Sequence, residues 1–484
     1  MTRTRTVFGQ IILPLVAAPL LACSSGVSLA GDQDVSDSEL DDRTPGADAD
    51  GDATIPDAVP DAAPDTVSDA GEARDGDPDP DADAGAAEDA TWDATDTPPD
   101  ATTAHLVPDE METFFDFGDP GSWRDSAVPM HRHSFPVAWS GSAYAVVLED
   151  RSGGTDVPGP IAVFRFERGV EGLHEMWVDD EPEITEYNSI CWTGEAFVVA
   201  LPTFDVGLRV LALDGAGSLI RPPQLLAADA TYVPAAHGEA PVVLCPDSGA
   251  FVLEPGRGAG GLDRLYGIAP DGTASGGFVD ADVPTFARNL YFAPVPCATS
   301  GDDVACATDA GLAFVRGDGS ARAADPLSGA PVCGSPTGCD TAATGSDVFL
   351  VGGRLMTWPE SELVLARWSV DGGLALPTVE VDSTGGSGPE APRVRAAASG
   401  TTVLAVTFGG GFVPDGTNAW LVGRDGTPMD RLAPLPACAF IGGEPECFGH
   451  SYAEGGTVFW EGDAYAALWI TGRGVAYRRL ALAW

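Results

Sequence analysis

From residue 105 to the C-terminus, apolar residues occur in runs of about five to eight that show no helical period and are separated by Gly-rich turns. Such runs are typical of buried β-strands. A nearly repeated hexapeptide precedes three of them, as Trp139-Ser-Gly-Ser-Ala-Tyr144, Trp192-Thr-Gly-Glu-Ala-Phe197 and Trp460-Glu-Gly-Asp-Ala-Tyr465. The pattern predicts an all-β domain built from a repeated hairpin.

Weaker copies of this unit fill the gaps between the three motifs. Their strands are anchored at Phe251, Val304, Val348 and Val403, and the seven anchors lie about 53 residues apart on average. In five repeats the following strand ends in Asp-Gly, at Asp214-Gly215, Asp271-Gly272, Asp318-Gly319, Asp371-Gly372 and Asp425-Gly426. We expect two-residue hairpin turns there, because both central residues can take a positive φ.

Each repeat has room for about four antiparallel strands and no helix, which favours propeller blades over helical solenoids. We therefore predict a seven-bladed β-propeller, in which each blade covers the apolar face of the next. The weak middle repeats leave six or eight blades open.

Closure of the ring needs a strand from outside the last repeat. The chain ends at Trp484, before the fourth strand that the other repeats have, and an unpaired sheet edge would remain. The unassigned extended segment Met111–Phe117 lies upstream of the first anchor. We predict that it pairs with the last repeat.

The segment before the propeller has a different composition. Residues 31–104 hold 24 acidic side chains against Arg43 and Arg74, and few large apolar groups. Such a segment cannot bury enough apolar surface to fold, so we expect a disordered acidic tether. The predicted domains are a signal peptide at 1–22, the tether at 23–104 and the propeller at 105–484.

The N-terminus has the pattern of an export signal. Two arginines precede an apolar run that ends at Leu20-Leu21-Ala22-Cys23. The segment resembles a bacterial lipoprotein signal, which implies cleavage before Cys23 and a lipid on its thiol. The alternatives are an uncleaved anchor, which the short run interrupted by proline disfavours, and cleavage after Ala30. The resemblance implies attachment to the cell envelope, at the outer membrane or cell surface.

The repeats are also similar to those of uncharacterised surface lipoproteins from GC-rich, myxobacterium-type bacteria, which carry Trp-x-Gly-x-x-Tyr motifs. This resemblance covers roughly residues 135–484 and implies a propeller fold. It implies nothing about a ligand.

Charge and composition argue against several classes of function. The chain has 73 acidic and 25 basic side chains, a formal charge of −48, which argues against nucleic acid as a partner. All the basic residues are arginine, so Schiff-base lysines and phosphate-loop lysines are excluded. Sequence motifs of common hydrolases, zinc proteases and dinucleotide-binding enzymes are also missing.

Eight cysteines follow Cys23, and an even number in an exported chain favours disulfides. Short separations suggest three pairs, Cys297 with Cys306, Cys333 with Cys339, and Cys438 with Cys447. The remaining two, Cys191 and Cys245, are one repeat apart at equivalent positions, which would place them on the inner strands of adjacent blades.

Three histidines form a candidate metal site. His131 and His133 precede the first anchor, and His450 precedes the last one. The first and last blades are neighbours in a closed ring, so these imidazoles would converge near the axis and hold a divalent cation. The alternative is that they are isolated surface side chains. No cofactor is otherwise expected, although calcium or another divalent cation remains open.

Together these features predict a lipid-anchored, surface-displayed propeller that binds or scaffolds an unknown protein or polysaccharide. The alternative is an envelope enzyme, a metal-assisted hydrolase or lyase with its site at the axis, for which no catalytic residue is assigned. Titratable groups that converge on the axis would favour the enzyme, whereas a cavity lined by Gly, Ala and backbone would favour binding.

Overall fold

The computed structural model divides the chain into two units, Met1–Thr91 and Trp92–Trp484, and all the residues it describes lie in the second. The described residues are 104–109, 113–116, 123–125, 136–150, 160–170, 172–179, 188–203, 205–228, 239–259, 262–283, 293–308, 310–328, 332–333, 338–355, 360–385, 393–408, 418–432, 438–441, 444–447, 456–471 and 474–484. The predicted signal peptide, Cys23 and the predicted tether fall outside them, apart from Ala104.

The described residues form strands joined by turns, with no α-helix. The strands are β1 (His105–Pro108), β2 (Thr113–Asp116), β3 (Trp123–Asp125), β4 (Val137–Trp139), β5 (Tyr144–Asp150), β6 (Ile161–Phe166), β7 (His174–Asp179), β8 (Ser189–Trp192), β9 (Ala196–Thr203), β10 (Gly207–Asp214), β11 (Leu219–Ala228), β12 (Glu239–Ala240), β13 (Val242–Leu244), β14 (Ala250–Glu254), β15 (Asp263–Ile268), β16 (Ala274–Ala281), β17 (Ala293–Pro294), β18 (Cys297–Ser300), β19 (Asp303–Thr308), β20 (Gly311–Val315), β21 (Ala321–Ala323), β22 (Cys339–Ala343), β23 (Asp347–Leu355), β24 (Glu360–Ser369), β25 (Leu374–Gly385), β26 (Arg393–Ala398), β27 (Thr402–Phe408), β28 (Asn418–Gly423), β29 (Pro428–Leu432), β30 (Cys438–Ile441), β31 (Glu444–Cys447), β32 (Gly456–Trp460), β33 (Ala464–Thr471) and β34 (Gly474–Ala483).

Seven antiparallel sheets form the blades of a β-propeller, so the predicted fold and the blade number of seven are confirmed. Blades 1 to 6 run from the innermost to the outermost strand as β4–β7, β8–β11, β13–β16, β18–β21, β22–β25 and β26–β29. Blade 7 contains β32, β33 and β34. The β3 strand also pairs with β5 of blade 1, beside β4.

The N-terminal segment completes blade 7, which confirms the prediction that it pairs with the last repeat. The β2 strand pairs antiparallel with β34, with Phe114 opposite Ala476. The structure adds β1, which the sequence did not predict, and it pairs with the other end of β34, with His105 opposite Ala483. Both ends of the folded part therefore share one sheet, and the ring is closed by strand pairing.

The described residues form seven apolar core clusters, one between each pair of neighbouring blades. The cluster between blades 7 and 1 contains Tyr144, Leu468 and Tyr477, and the cluster between blades 6 and 7 contains Leu106 of β1. A blade exposes two apolar faces, and each is buried only because a neighbour packs on it. This explains why the strands appear in the sequence as continuous apolar runs.

The hexapeptide motif forms the hairpin between the first two strands of a blade. In blade 1 the Ser140 N–H donates to the Ala143 carbonyl at 2.9 Å, and the same bond closes the turns of blades 2 and 7. Its glycine has φ of +89° at Gly141, +96° at Gly194 and +98° at Gly462. The turn requires this left-handed conformation, which explains the invariant glycine in the three copies.

The Asp-Gly turns lie between the third and fourth strands, but their conformation differs from the expected two-residue turn. In blade 3 the Gly272 N–H donates to the Ala269 carbonyl at 2.8 Å, and the Ala269 N–H donates to the Thr273 carbonyl. Gly272 has φ of +81°, whereas Asp271 has no positive φ. These are three-residue loops with the left-handed conformation at the last position only. In blade 2 that position is Gly217, not Gly215.

Candidate axial binding site

A cavity of about 600 Å³ lies on the propeller axis and is lined by the innermost strands of all seven blades. Its lining residues are Val137, Ala138, Trp139, Ile190, Cys191, Trp192, Val242, Val243, Leu244, Cys245, Cys297, Ala298, Thr299, Ala342, Ala343, Ala396, Ala397, Ala398, Val458, Phe459 and Trp460. The volume falls within the range of small-molecule pockets.

Three tryptophans occupy one arc of the cavity, at the end of the innermost strand where the hexapeptide turn begins. Trp139, Trp192 and Trp460 are equivalent residues of blades 1, 2 and 7, which are consecutive in the ring. Each is half-buried and pairs across the hairpin with an aromatic residue, with ring centroids 4.3, 4.6 and 4.8 Å apart. We call these three residues the tryptophan arc.

The opposite side of the cavity at the same level carries small residues. The positions equivalent to the tryptophans in blades 4, 5 and 6 are Thr299, Ala343 and Ala398. Among the described lining residues, the polar side-chain groups are the Thr299 hydroxyl and the indole N–H groups of the three tryptophans, and none of these residues carries a carboxylate, imidazole or guanidinium. The tryptophan side of the cavity therefore faces small side chains. Each tryptophan also packs against a different cluster between blades, and polar backbone atoms contribute much of the cavity surface.

The Cys191–Cys245 disulfide forms part of the cavity wall. It joins the innermost strand of blade 2 to the residue that follows the innermost strand of blade 3, with a Cα–Cα distance of 5.8 Å. The structure also pairs Cys297 with Cys306 across a hairpin and Cys333 with Cys339. Cys438 and Cys447 are register partners in the hairpin of β30 and β31, where only the backbone is described.

Two polar side chains bridge neighbouring innermost strands beside the cavity, and the sequence analysis did not identify them. Asp340 accepts a hydrogen bond of 2.9 Å from the Ala396 N–H of blade 6, and Ser189 accepts one of 2.9 Å from the Val243 N–H of blade 3. Burial raises the pKa of the Asp340 carboxyl, against the lowering effect of Arg395 and the backbone N–H donors. Both residues lie near the start of an innermost strand, just before the residues that line the cavity. This position was the feature of the sequence that could have identified them.

Four acidic side chains lie near the cavity, on the turns between the first and second strands of blades 2, 3, 4 and 7. Glu195, Asp247, Asp302 and Asp463 are all exposed and lie two or three residues beyond lining positions. Hydrogen bonding by Arg479 lowers the pKa of Asp463. Asp303, next to Asp302, pairs with Arg316 at 2.5 Å and with Arg322 at 3.2 Å.

The predicted histidine site lies outside the described residues, which include none of His131, His133 and His450. Within the described ranges, no three His, Cys, Asp or Glu side chains are grouped as a metal site would require. Over the same part of the chain, no helix has the length and apolar character needed to span a membrane.

No protein-family model matches this chain, and no curated protein matches it. Solved structures of similar fold include a chain of the mitotic checkpoint complex, with 10% identity, 77% of this chain and 93% of that chain covered, and a TM-score of 0.42. The WD40 domain of SCAP from fission yeast has 9% identity, covers 74% and 98%, and has a TM-score of 0.38. The β-propeller domain of the Trilobed protease from Pyrococcus furiosus has 8% identity, covers 72% and 96%, and has a TM-score of 0.38.

Proposed function

We propose that this protein is a lipid-anchored, surface-displayed β-propeller that acts as a binding or scaffolding module of the cell envelope. The β-propeller fold supports a binding or scaffolding role in general, because a ring of blades offers a concave axial site. The display and the anchor rest on the resemblance of residues 1–23 to a lipoprotein signal.

The observation that carries the binding role is the lining of the axial cavity. General acid–base and nucleophilic catalysis require titratable or nucleophilic side chains that converge on one point. The cavity instead presents aliphatic and aromatic side chains, Thr299 and a disulfide. The described lining side chains therefore suit contact with a ligand better than proton transfer.

Metabolic labelling with a fatty acid tests the anchor. The label is expected to enter the wild-type chain, and Cys23→Ser is expected to abolish labelling and release the protein from membranes. Cys191→Ser is the matched control, because it removes a different cysteine and leaves the signal intact. Labelling that persists in Cys23→Ser would contradict the anchor.

A ligand screen on the purified full-length chain tests the binding role, with cell-wall and polysaccharide fragments and extracted envelope proteins, each with and without calcium. We expect at least one ligand whose affinity falls when Trp192 is replaced by Leu. If every ligand bound the Trp192→Leu and Ala343→Leu variants as tightly as it binds the wild-type chain, the cavity would not be the binding site. Surface protease treatment of intact cells tests display, and complete protection would contradict it.

A further inference from the structure

The Cys191–Cys245 disulfide differs in exposure from the other two disulfides whose side chains the structure describes. Both of its cysteines are half-buried, and both line the axial cavity. Cys306 and Cys339 are fully buried, and each forms one half of another disulfide. Among the described disulfides, Cys191–Cys245 is therefore the one with both cysteines at the cavity surface.

We propose that Cys191–Cys245 is a thiol-exchange site, at which small thiols that enter the axial cavity reversibly reduce the disulfide. This inference goes beyond the proposed binding role, because the exchange needs access to the cavity and needs no ligand in it. Exposed disulfides react readily with thiols, since the attacking thiolate must reach a sulfur atom. A cavity of about 600 Å³ has room for a small thiol beside the disulfide.

The exchange proceeds in two balanced steps. The thiolate of one small thiol attacks the Sγ atom of one cysteine, which breaks the Sγ–Sγ bond, forms a mixed disulfide and releases the other cysteine as a thiolate. A second thiolate attacks the sulfur of the small molecule in that mixed disulfide and releases the first cysteine. The two protein thiolates take up as many protons as the two attacking thiols lost. The small thiols are thereby oxidised to one disulfide, and the protein disulfide is reduced to two thiols.

Reduction removes a covalent link between blades 2 and 3 at the cavity wall. A hydrogen bond of 2.9 Å from the Val243 N–H to Ser189 Oγ also joins these two blades and remains after reduction. Cys191 and Cys245 pack against the apolar cluster between the same blades, which remains as well. We therefore expect reduction to loosen this side of the cavity wall and to leave the ring closed.

Thiol trapping on the folded full-length chain tests the inference. The chain is treated with 2-mercaptoethanol, new thiols are blocked with N-ethylmaleimide, and mass spectrometry locates them. We expect Cys191 and Cys245 to be blocked at least about tenfold sooner than Cys333 and Cys339, which are buried. In urea above the unfolding midpoint, we expect this difference to fall below about threefold. Equal rates for the two pairs in the folded chain would overturn the proposal.

A thiol too large for the cavity tests the route of access. Polyethylene glycol thiol is neutral, as 2-mercaptoethanol is, so the comparison changes size and not charge. We expect its rate at Cys191 and Cys245, relative to that of 2-mercaptoethanol, to be at least about tenfold lower in the folded chain than in the unfolded chain. The same relative rate in both states would overturn access through the cavity.

Substitutions test the assignment of the reactive disulfide. The double variant Cys191→Ser with Cys245→Ser is expected to lose the fast-reacting pair, whereas Cys333→Ser with Cys339→Ser is expected to retain it. Melting temperatures verify that both variants fold, and if the first one does not, the rates in the wild-type chain decide. A fast-reacting pair that persists in the first variant would overturn the assignment.

Amide hydrogen exchange tests the effect of reduction on the cavity wall. The Val243 N–H and the Ala396 N–H make equivalent bonds across neighbouring blades, to Ser189 and Asp340. Selective reduction of the cavity disulfide is expected to accelerate exchange at Val243 by about fivefold or more and to leave Ala396 unchanged. Unchanged exchange at Val243, or equal acceleration at both amides, would overturn the local loosening of blades 2 and 3.

Discussion

The Tyr144 hydroxyl donates a hydrogen bond of 2.7 Å to Oε1 of Glu461, a residue 317 positions later in the chain. Tyr144 ends the first copy of the hexapeptide motif and Glu461 is the second residue of the last copy. The same oxygen accepts a bond of 2.8 Å from Tyr477, and Arg479 lies 3.5 Å from Oε2. Burial and the neighbouring Glu461 raise the pKa of Tyr144 well above its ordinary value, so it remains a donor.

This bond joins blades 1 and 7 at the closure of the ring. Tyr144→Phe is expected to lower the free energy of unfolding by about 1.5–3 kcal/mol, because a buried carboxylate loses a charge-assisted donor. Urea denaturation measures the loss. A double-mutant cycle with Glu461→Gln is expected to show a coupling of at least about 0.5 kcal/mol, and additive effects would contradict a direct interaction.

Tyr266→Phe is the matched control for this prediction. The Tyr266 hydroxyl donates to Glu254 at 2.9 Å within blade 3, so this variant also removes a bond from a tyrosine to a buried carboxylate. Both variants are expected to lose stability, but only Tyr144→Phe is expected to accelerate proteolysis of the N-terminal strands, because only that bond spans the closure.

The N-terminal strands are expected to hold the ring together. Deletion of residues 105–120 removes the pairing of β1 and β2 with β34 and exposes the apolar surface that Leu106 covers. It also removes the 2.6 Å bond from the Leu106 N–H to Asp430 of blade 6. We expect a loss of several kcal/mol in urea denaturation. A control that lacks residues 31–91 is expected to melt like the full chain, and equal melting of both deletions would contradict this account.

The ring could be predicted from the sequence because each repeat contains strands that must be buried on both faces, as in the blades of a propeller. Continuous apolar runs after each turn mark strands that are buried on both faces, and a missing last strand requires a partner from elsewhere in the chain. The sequence did not predict β1, because His105–Pro108 is short and shows no alternation. It also gave the wrong turn type for Asp-Gly, since Asp-Gly suits a two-residue turn and a three-residue loop equally.

The candidate site was less predictable. The repeated Trp139, Trp192 and Trp460 were identified as a fold signature, but periodicity alone does not show whether a residue packs between blades or borders the axis. The structure shows that these residues do both: each packs in a different cluster between blades, and all three border the cavity on the consecutive blades 7, 1 and 2. The histidine hypothesis used the same ring logic and stays a prediction, since its residues lie outside the described ranges.

The disulfides are expected to differ in their contributions to stability according to loop length. The separations are 54 residues for Cys191–Cys245, 9 for Cys297–Cys306 and 6 for Cys333–Cys339. On the chain-entropy model, replacing each pair by alanine costs about 4, 2.7 and 2.3 kcal/mol respectively. Urea denaturation of the three double variants under non-reducing conditions measures the order. If removal of Cys191–Cys245 lowered the free energy of unfolding less than removal of Cys333–Cys339, the chain entropy of the unfolded state would not determine the order.

Acid is expected to destabilise the propeller through its turn carboxylates. Burial acts to raise the pKa of Asp303, but hydrogen bonds from Arg316 and Arg322 outweigh it and hold the pKa below its ordinary value. The pKa values of Asp271, Asp318, Asp371 and Asp425 are also lowered, mainly by hydrogen bonds from Thr and Ser residues of their turns.

A lowered pKa in the folded state means that the unfolded chain binds more protons at low pH. The stabilisation by these carboxylates is therefore complete above the unfolded value of about 3.9 and is lost as the pH falls through the folded values. The urea midpoint is expected to decline below about pH 4. Asp303→Asn is expected to lower the midpoint at neutral pH and to make the acid decline shallower, because one of the responsible groups no longer titrates. Exposed Asp247→Asn controls for the removal of one negative charge, and an identical acid slope in wild type and Asp303→Asn would contradict the role of this ion pair.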